Sequence, residues 1–297
     1  SAVAMTPANA DPYHAFTRLD GSHPWLDAVP EACVLYPARE LGGGNVTYFN
    51  FELAREMGLI AEQHPDELTK DLESVLLQTF AIRIVNEYDE ARSHRFTRIK
   101  PRKYMATRYL QLQHPSKRGA TSGDGRGIWN GAITHHGITW DVSSRGTGVT
   151  CLAPGSVEAG EPLRTGGATH GYGCGLAELD ELYGAAIMSA IFHRQGIPTE
   201  RVLAIIDIGK KRGIGVRAHP NLIRPAHLFR LLKLGDYKNL RLATDYFLDR
   251  QRMNHAWEVP ARGQHRYSVM CAHVARSLAE LAARLDVDYI FVWMSWD

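Results

Sequence analysis

One stretch restricts the fold of this chain more than any other. Arg201-Val202-Leu203-Ala204-Ile205-Ile206-Asp207-Ile208 is an almost unbroken apolar run of strand length. Such a run reads as a strand covered on both faces. The basic turn Gly209-Lys210-Lys211-Arg212-Gly213 follows, and Ile214-Gly215-Val216-Arg217-Ala218 resumes the strand, so the pair reads as a hairpin. Upstream, Leu179, Leu182, Ala186, Ile187, Ala190 and Ile191 recur on one face of a helix over 176–195, with Gly196 as its C-cap. Downstream, helical stretches cover about 225–234, 236–251 and 270–285. A buried hairpin between a long helix and a helical run is a mixed α+β pattern.

The rest of the chain is less regular. Residues 1–45 read as irregular, with Pro7, Pro12, Pro24, Pro30, Pro37 and then Gly42-Gly43-Gly44. Asn50 caps a short helix that Gly58 stops. Leu68, Leu72, Val75 and Leu76 give a second helix within 66–77. Residues 80–85 fit either a strand or the end of that helix. Residues 125–130 begin a strand, and 138–144 alternates with period two before Gly146-Thr147-Gly148. Glycines and prolines crowd 152–175, which reads as one long loop.

Composition removes several function classes. The 297 residues, 44% apolar and 22% charged, are ordinary for a soluble protein and leave room for two lobes. A net charge of +2 gives no support for nucleic acid as a general partner. No apolar run reaches membrane-span length, and the start shows no secretory signal pattern. Cys33, Cys151, Cys174 and Cys271 form no CxxC pair, which argues against a disulfide scaffold or structural zinc and fits a cytoplasmic setting. The histidines have no HExxH-like spacing, so no metal ligand is assigned. Gly42-Gly43-Gly44 lacks the GKS or GKT of a phosphate loop, and Lys210-Lys211-Arg212 reads as a solvated hairpin tip.

Several segments, in order, resemble one family. Gly123-Asp124-Gly125-Arg126 resembles a GDGRA segment, and Ser144-Arg145-Gly146-Thr147-Gly148-Val149-Thr150 resembles LKGAGxT. Gly196-Ile197-Pro198-Thr199-Glu200-Arg201-Val202-Leu203 is close to GIPTTRAL. Arg217 and Arg224 keep the seven-residue spacing of the arginines in RVAPSHLR. Ala243-Thr244-Asp245-Tyr246 resembles LADY, and Met294-Ser295-Trp296-Asp297 resembles the start of MNTDN. Together they resemble the SelO (YdiU) family of protein-kinase-like enzymes, over about residues 30–297. The resemblance implies a bilobal kinase-like fold, with 1–220 holding the N-terminal region and N-lobe. Residues 221–297 would be the first part of a helical C-lobe, incomplete at its C-terminus.

The implied activity is transfer of AMP from ATP to protein hydroxyls, with Mg²⁺ as the metal. Arg145, Gly146, Gly148, Glu181, Arg217 and Arg224 would contact the nucleotide, and Asp297 would be the catalytic carboxylate. The partners would be a protein substrate and a downstream segment or second chain that completes the C-lobe and supplies the Mg²⁺ ligands. This chain departs from the family pattern at telling places. Arg145 stands where the family has its phosphate-holding lysine, and Gly184-Ala185 stands where the helix has its Arg-Glu pair. The arginine of a YSR segment is missing after Thr150. Glu181, one turn earlier, is the expected substitute partner for Arg145. Loss of both original residues leaves a second reading open, a catalytically degenerate nucleotide-binding or scaffolding pseudokinase.

Overall fold

The apolar run at 201–208 lies inside a sheet, as its composition requires. The computed structural model describes residues 11–93, 95–111, 114–167 and 174–288. Its strands are β1 (Cys33–Glu40), β2 (Asn45–Phe49), β3 (Ile82–Ile84), β4 (Ile99–Thr107), β5 (Gly127–His135), β6 (Ile138–Arg145), β7 (Ala177–Glu178), β8 (Arg201–Gly209) and β9 (Arg212–His219). They form one antiparallel sheet in the order β2-β8-β9-β6-β5-β4-β1-β3, with β7 added beside β9. The helices are α1 (Trp25–Ala28), α2 (Phe51–Glu56), α3 (Lys70–Phe80), α4 (Glu87–Ala91), α5 (Pro154–Ala159), α6 (Leu179–Arg194), α7 (Pro225–Leu234), α8 (Tyr237–Met253) and α9 (His265–Asp288). The class is α+β, as the pattern implied. Among the described residues no helix is long and apolar enough to cross a membrane.

Local chemistry sets the boundaries. The Asn50 side chain accepts from the Leu53 N–H at 3.0 Å and opens α2, and Thr69 accepts from Leu72 N–H at 3.2 Å and opens α3. Lys210 and Lys211 both have positive φ, 54° and 60°, so the β8–β9 turn twists with its strands. β8 is buried on both sides. Leu203, Ala204 and Ile206 join a core with α2 and α3, while Val202 and Ile205 meet Leu182 and Ala186 of α6. Each fully buried aliphatic side chain of this kind contributes about 1.5–3 kcal/mol. Leu222, Leu231 and Ala243, at and beside α7 and α8, close a further core over Trp25, Met105 and Trp129.

Three expectations are corrected. Residues 1–45 are not irregular throughout: β1 pairs with β4, and Pro37 is accommodated at a register shift between Tyr36 and Ala38. The 152–175 stretch contains α5, closed by Gly160 at φ 68°. The helix over 176–195 buries Leu182, Ala186 and Ser189, leaving Ile187 60% exposed. Small residues let the sheet contact rotate away from the largest apolar side chains.

Two buried polar nodes fasten the layers. Asp141 on β6 accepts from His23 Nε2 at 2.8 Å, Arg250 Nη1 at 2.6 Å and Leu222 N–H at 2.9 Å. His227 on α7 accepts at Nδ1 from Arg224 N–H at 3.0 Å, which leaves its proton on Nε2, 2.9 Å from Thr107 Oγ1. Burial, then the Arg224 charge, push the His227 pKa down to about 3. An unfolded histidine titrates near 6.5, so the neutral ring's stabilisation is complete above that pH and is lost as pH falls towards 3. Between pH 7 and 5 this group should remove about 2 kcal/mol of stability. Urea unfolding at both pH values should show that loss in the parent and a much smaller one in His227→Gln. An equal loss in both proteins would contradict the assignment.

Candidate functional site

β6 ends on Arg145, and strand register decides what lies beside it. Arg145 is opposite Gly215 and Ser143 is opposite Arg217, so both arginines occupy one face of the sheet. That face is crossed by α6. A β-carbon on Gly213 would fall 2.6 Å from Leu179 Cδ2, and one on Gly215 would fall 2.5 Å from Leu182 Cδ2. The two glycines therefore let the first turn of α6 settle onto β9. Glu181, in that turn, is carried to the end of β6.

The result is a chain of five alternating charges. Arg126 Nη1 donates to Glu181 Oε2 at 2.9 Å, and its Nη2 donates to Oε1, a bidentate pair. Arg217 Nη1 donates to Glu200 Oε2 at 2.6 Å, and its Nε to Ser143 Oγ at 2.8 Å. Arg145 hangs between them, 3.4 Å from Glu181 and 3.4 Å from Glu200. Its side chain is 27% exposed. Three guanidinium groups face two carboxylates, so the cluster carries one excess positive charge.

Electrostatics follow from that geometry. Burial raises the proton affinity of Glu181 and Glu200, but their arginines outweigh it and hold both below the ordinary carboxylate range. Burial and the Arg217 charge lower the Arg145 pKa; burial also pulls that of Arg217 down, but Glu200, Asp124 and Tyr109 together outweigh it and raise it. Arg145 is also held at longer range, 3.4 Å from each carboxylate, than Arg126 at 2.9 Å or Arg217 at 2.6 Å.

The glycine turn after Arg145 has a structural task. Gly146 N–H and Thr147 N–H both donate to Arg126 O, Gly148 N–H to Gly175 O, and Val149 N–H to Thr165 Oγ1. These donors are spent inside the protein, so an anion beside the turn would be met by side chains. Gly146 has φ 87°, and a β-carbon there would lie 2.3 Å from Gly213 O. Gly146→Ala should therefore cost at least about 1–3 kcal/mol with or without nucleotide, read as a lower urea midpoint. An unchanged midpoint would show that the turn yields easily.

The other candidates are placed as follows. Arg224, the N-cap residue just before α7, lies over the Tyr109 ring, 4.3 Å from its centroid, close enough to help depress Glu200. Asp297 lies outside the described residues. Asp124 Oδ2 accepts from Thr107 N–H at 2.8 Å, Thr107 Oγ1 at 2.7 Å and Trp129 Nε1 at 3.0 Å, which makes it a clasp between β4 and β5. Sequence reading missed Arg126 and Glu200 as members of the cluster. The signal for Glu200 was available: it is an acid where GIPTTRAL has its second threonine. Glu52, Glu56 and His193 bring metal-type ligand atoms within 4.8 Å of one another, but Arg201 already engages both carboxylates.

No family model matches the chain. A 171-residue stretch, however, is 30% identical to the protein nucleotidyltransferase YdiU of Halalkalibacterium halodurans. This chain resembles the SelO (YdiU) family. The match takes in 54% of this chain and 30% of that protein, so it spans less than a third of the relative's length. The resemblance carried by the short motifs and the aligned similarity point to the same SelO-type proteins.

Proposed function

We propose that this chain carries the nucleotide-binding part of a kinase-like protein nucleotidyltransferase that moves AMP from ATP to Ser, Thr or Tyr hydroxyls of a protein substrate. One observation carries the reading. Arg145 sits at the end of a central strand, loosely held between two carboxylates that Arg126 and Arg217 already claim at shorter range. A phosphate oxygen offers Arg145 a better partner than either glutamate does. The planar forks of Arg126, Arg145 and Arg217 suit phosphate oxygens, so this donor set fits ATP.

In AMP transfer a hydroxyl oxygen bonds to the α-phosphorus and the bond to the β-phosphate oxygen breaks, releasing pyrophosphate. Guanidinium groups fixed before the reaction stabilise charge on the phosphate oxygens without reorganising. Glu181 and Glu200 hold those groups in position. Mg²⁺, when bound, supplies neutralisation of the phosphates; its ligands are expected beyond the described residues, as is the hydroxyl-orienting Asp297. The full-length protein should incorporate label from α-labelled ATP into protein and none from γ-labelled ATP. Label from the γ position alone would indicate a kinase and overturn the reading.

The degenerate reading has its own support, because every arginine of the cluster has a carboxylate partner inside the protein. It is distinguished by nucleotide binding without transfer of either label.

A further inference from the structure

At the far edge of the sheet, β1 and β3 pair with Arg39 directly opposite Arg83. Ala38, Ile82 and Ile84 point into a core, so the two arginines stand together on the other face. Like charges opposite one another on a strand pair repel. A carboxylate bonded to the pair is the ordinary remedy, and among the described residues none is. Among the described residues neither guanidinium makes a hydrogen bond or ion pair, and the Nε–H of each is buried without an acceptor. Nearby acids are engaged elsewhere: Glu40 with Lys100 and Arg98, Glu90 with Arg102, Glu87 with the Tyr36 hydroxyl, and Asp89 at the start of its own helix. Asp89 reaches Arg83 only through space. Arg39 is nevertheless held in place, its guanidinium 4.5 Å from the centre of the Phe96 ring. Both residues remain partly exposed to solvent.

Two partly exposed guanidinium groups with no hydrogen-bond or ion-pair partner among the described residues suit a tetrahedral dianion, which can accept from both forks. We propose that Arg39 and Arg83 form a binding site for the phosphate group of a small soluble ligand. The site is separate from the Arg145 cluster, and the proposal does not depend on the activity assigned to that cluster. It adjoins the glycine turn, since Ile84 N–H donates to Thr147 O at 2.9 Å. An anion bridging the arginines would replace repulsion between β1 and β3 with attraction and firm the strand on which that turn rests.

Calorimetric titration at constant ionic strength tests it, with inorganic phosphate and pyrophosphate as probes and chloride as the control. A saturable site is expected that is weakened about tenfold or more in Arg39→Gln and in Arg83→Gln and that remains in Arg145→Ala, which removes any binding at the Arg145 cluster. Without phosphate the two glutamine variants should melt no lower than the parent, because each removes a repulsion, so weaker binding is not a sign of unfolding. Absence of saturable binding to the parent overturns the proposal. So does binding by both glutamine variants as tight as the parent's, or loss of binding in Arg145→Ala alone.

Discussion

Asp141→Ala should destabilise this protein by about 3–5 kcal/mol, the cost of removing one partner from a buried ion pair. The carboxylate is fully buried and joins parts of the chain far apart in sequence: His23, the Leu222 backbone and Arg250. Its removal leaves the guanidinium of Arg250, itself buried, with only the Tyr246 hydroxyl at 2.7 Å and Pro220 O at 3.3 Å among the described residues. It also strands the Leu222 N–H. Domains are typically stable by about 5–15 kcal/mol, so this variant should be marginal at physiological temperature. His23→Ala should cost less, because its imidazole donates as a neutral group: Nδ1 accepts from Trp25 N–H at 3.1 Å and the proton sits on Nε2. Urea denaturation would measure both. A loss below about 1 kcal/mol for Asp141→Ala would mean that water or repacking satisfies Arg250, and the node would not fasten the layers.

Arg145→Ala should weaken ATP binding about 10- to 100-fold, the worth of one or two charge-assisted hydrogen bonds. Folding should barely change, because the two 3.4 Å contacts of this partly exposed side chain are weak ion pairs. That separation of effects makes the variant informative. Arg145→Lys should fall between, keeping the charge and losing the fork. Glu200→Gln should act in the opposite direction, because the amide oxygen can still accept from Arg217 and hold it in place while a competing carboxylate charge is removed. Calorimetry with ATP reads all three. Unchanged affinity in Arg145→Ala would remove that residue from nucleotide binding and, with it, the observation on which the proposed function rests.

The elements were unequally legible in the sequence. The β8–β9 hairpin, α2 with its Asn50 cap, α6 and the helices α7 to α9 announce themselves through apolar spacing, caps and turn residues, all local properties. β1 and β4 do not. Pro37 and Pro101 interrupt them, and β4 carries Lys100, Arg102 and Lys103 along one stretch. These strands form because each supplies the other's hydrogen-bond partners, and that is invisible before the chain is folded. In α6 the period was legible but the buried face was not, because the glycines of β9 determine where the helix touches the sheet.

The candidate site divides along the same line. By itself the sequence determined the residue types and their order: an arginine before a Gly-Thr-Gly turn, an acid early in the following helix, an arginine in the returning strand. It also carried the SelO-like motifs and the exchanges within them. Only the tertiary structure decided that Arg126 takes Glu181 at close range, that Glu200 takes Arg217, and that Arg145 is left between the two carboxylates. The physical reason is distance. Helix and strand signals act over a few residues. Charge partners here are separated by 17 to 55 residues in the chain and meet only through strand register and the close seat of α6 on Gly213 and Gly215.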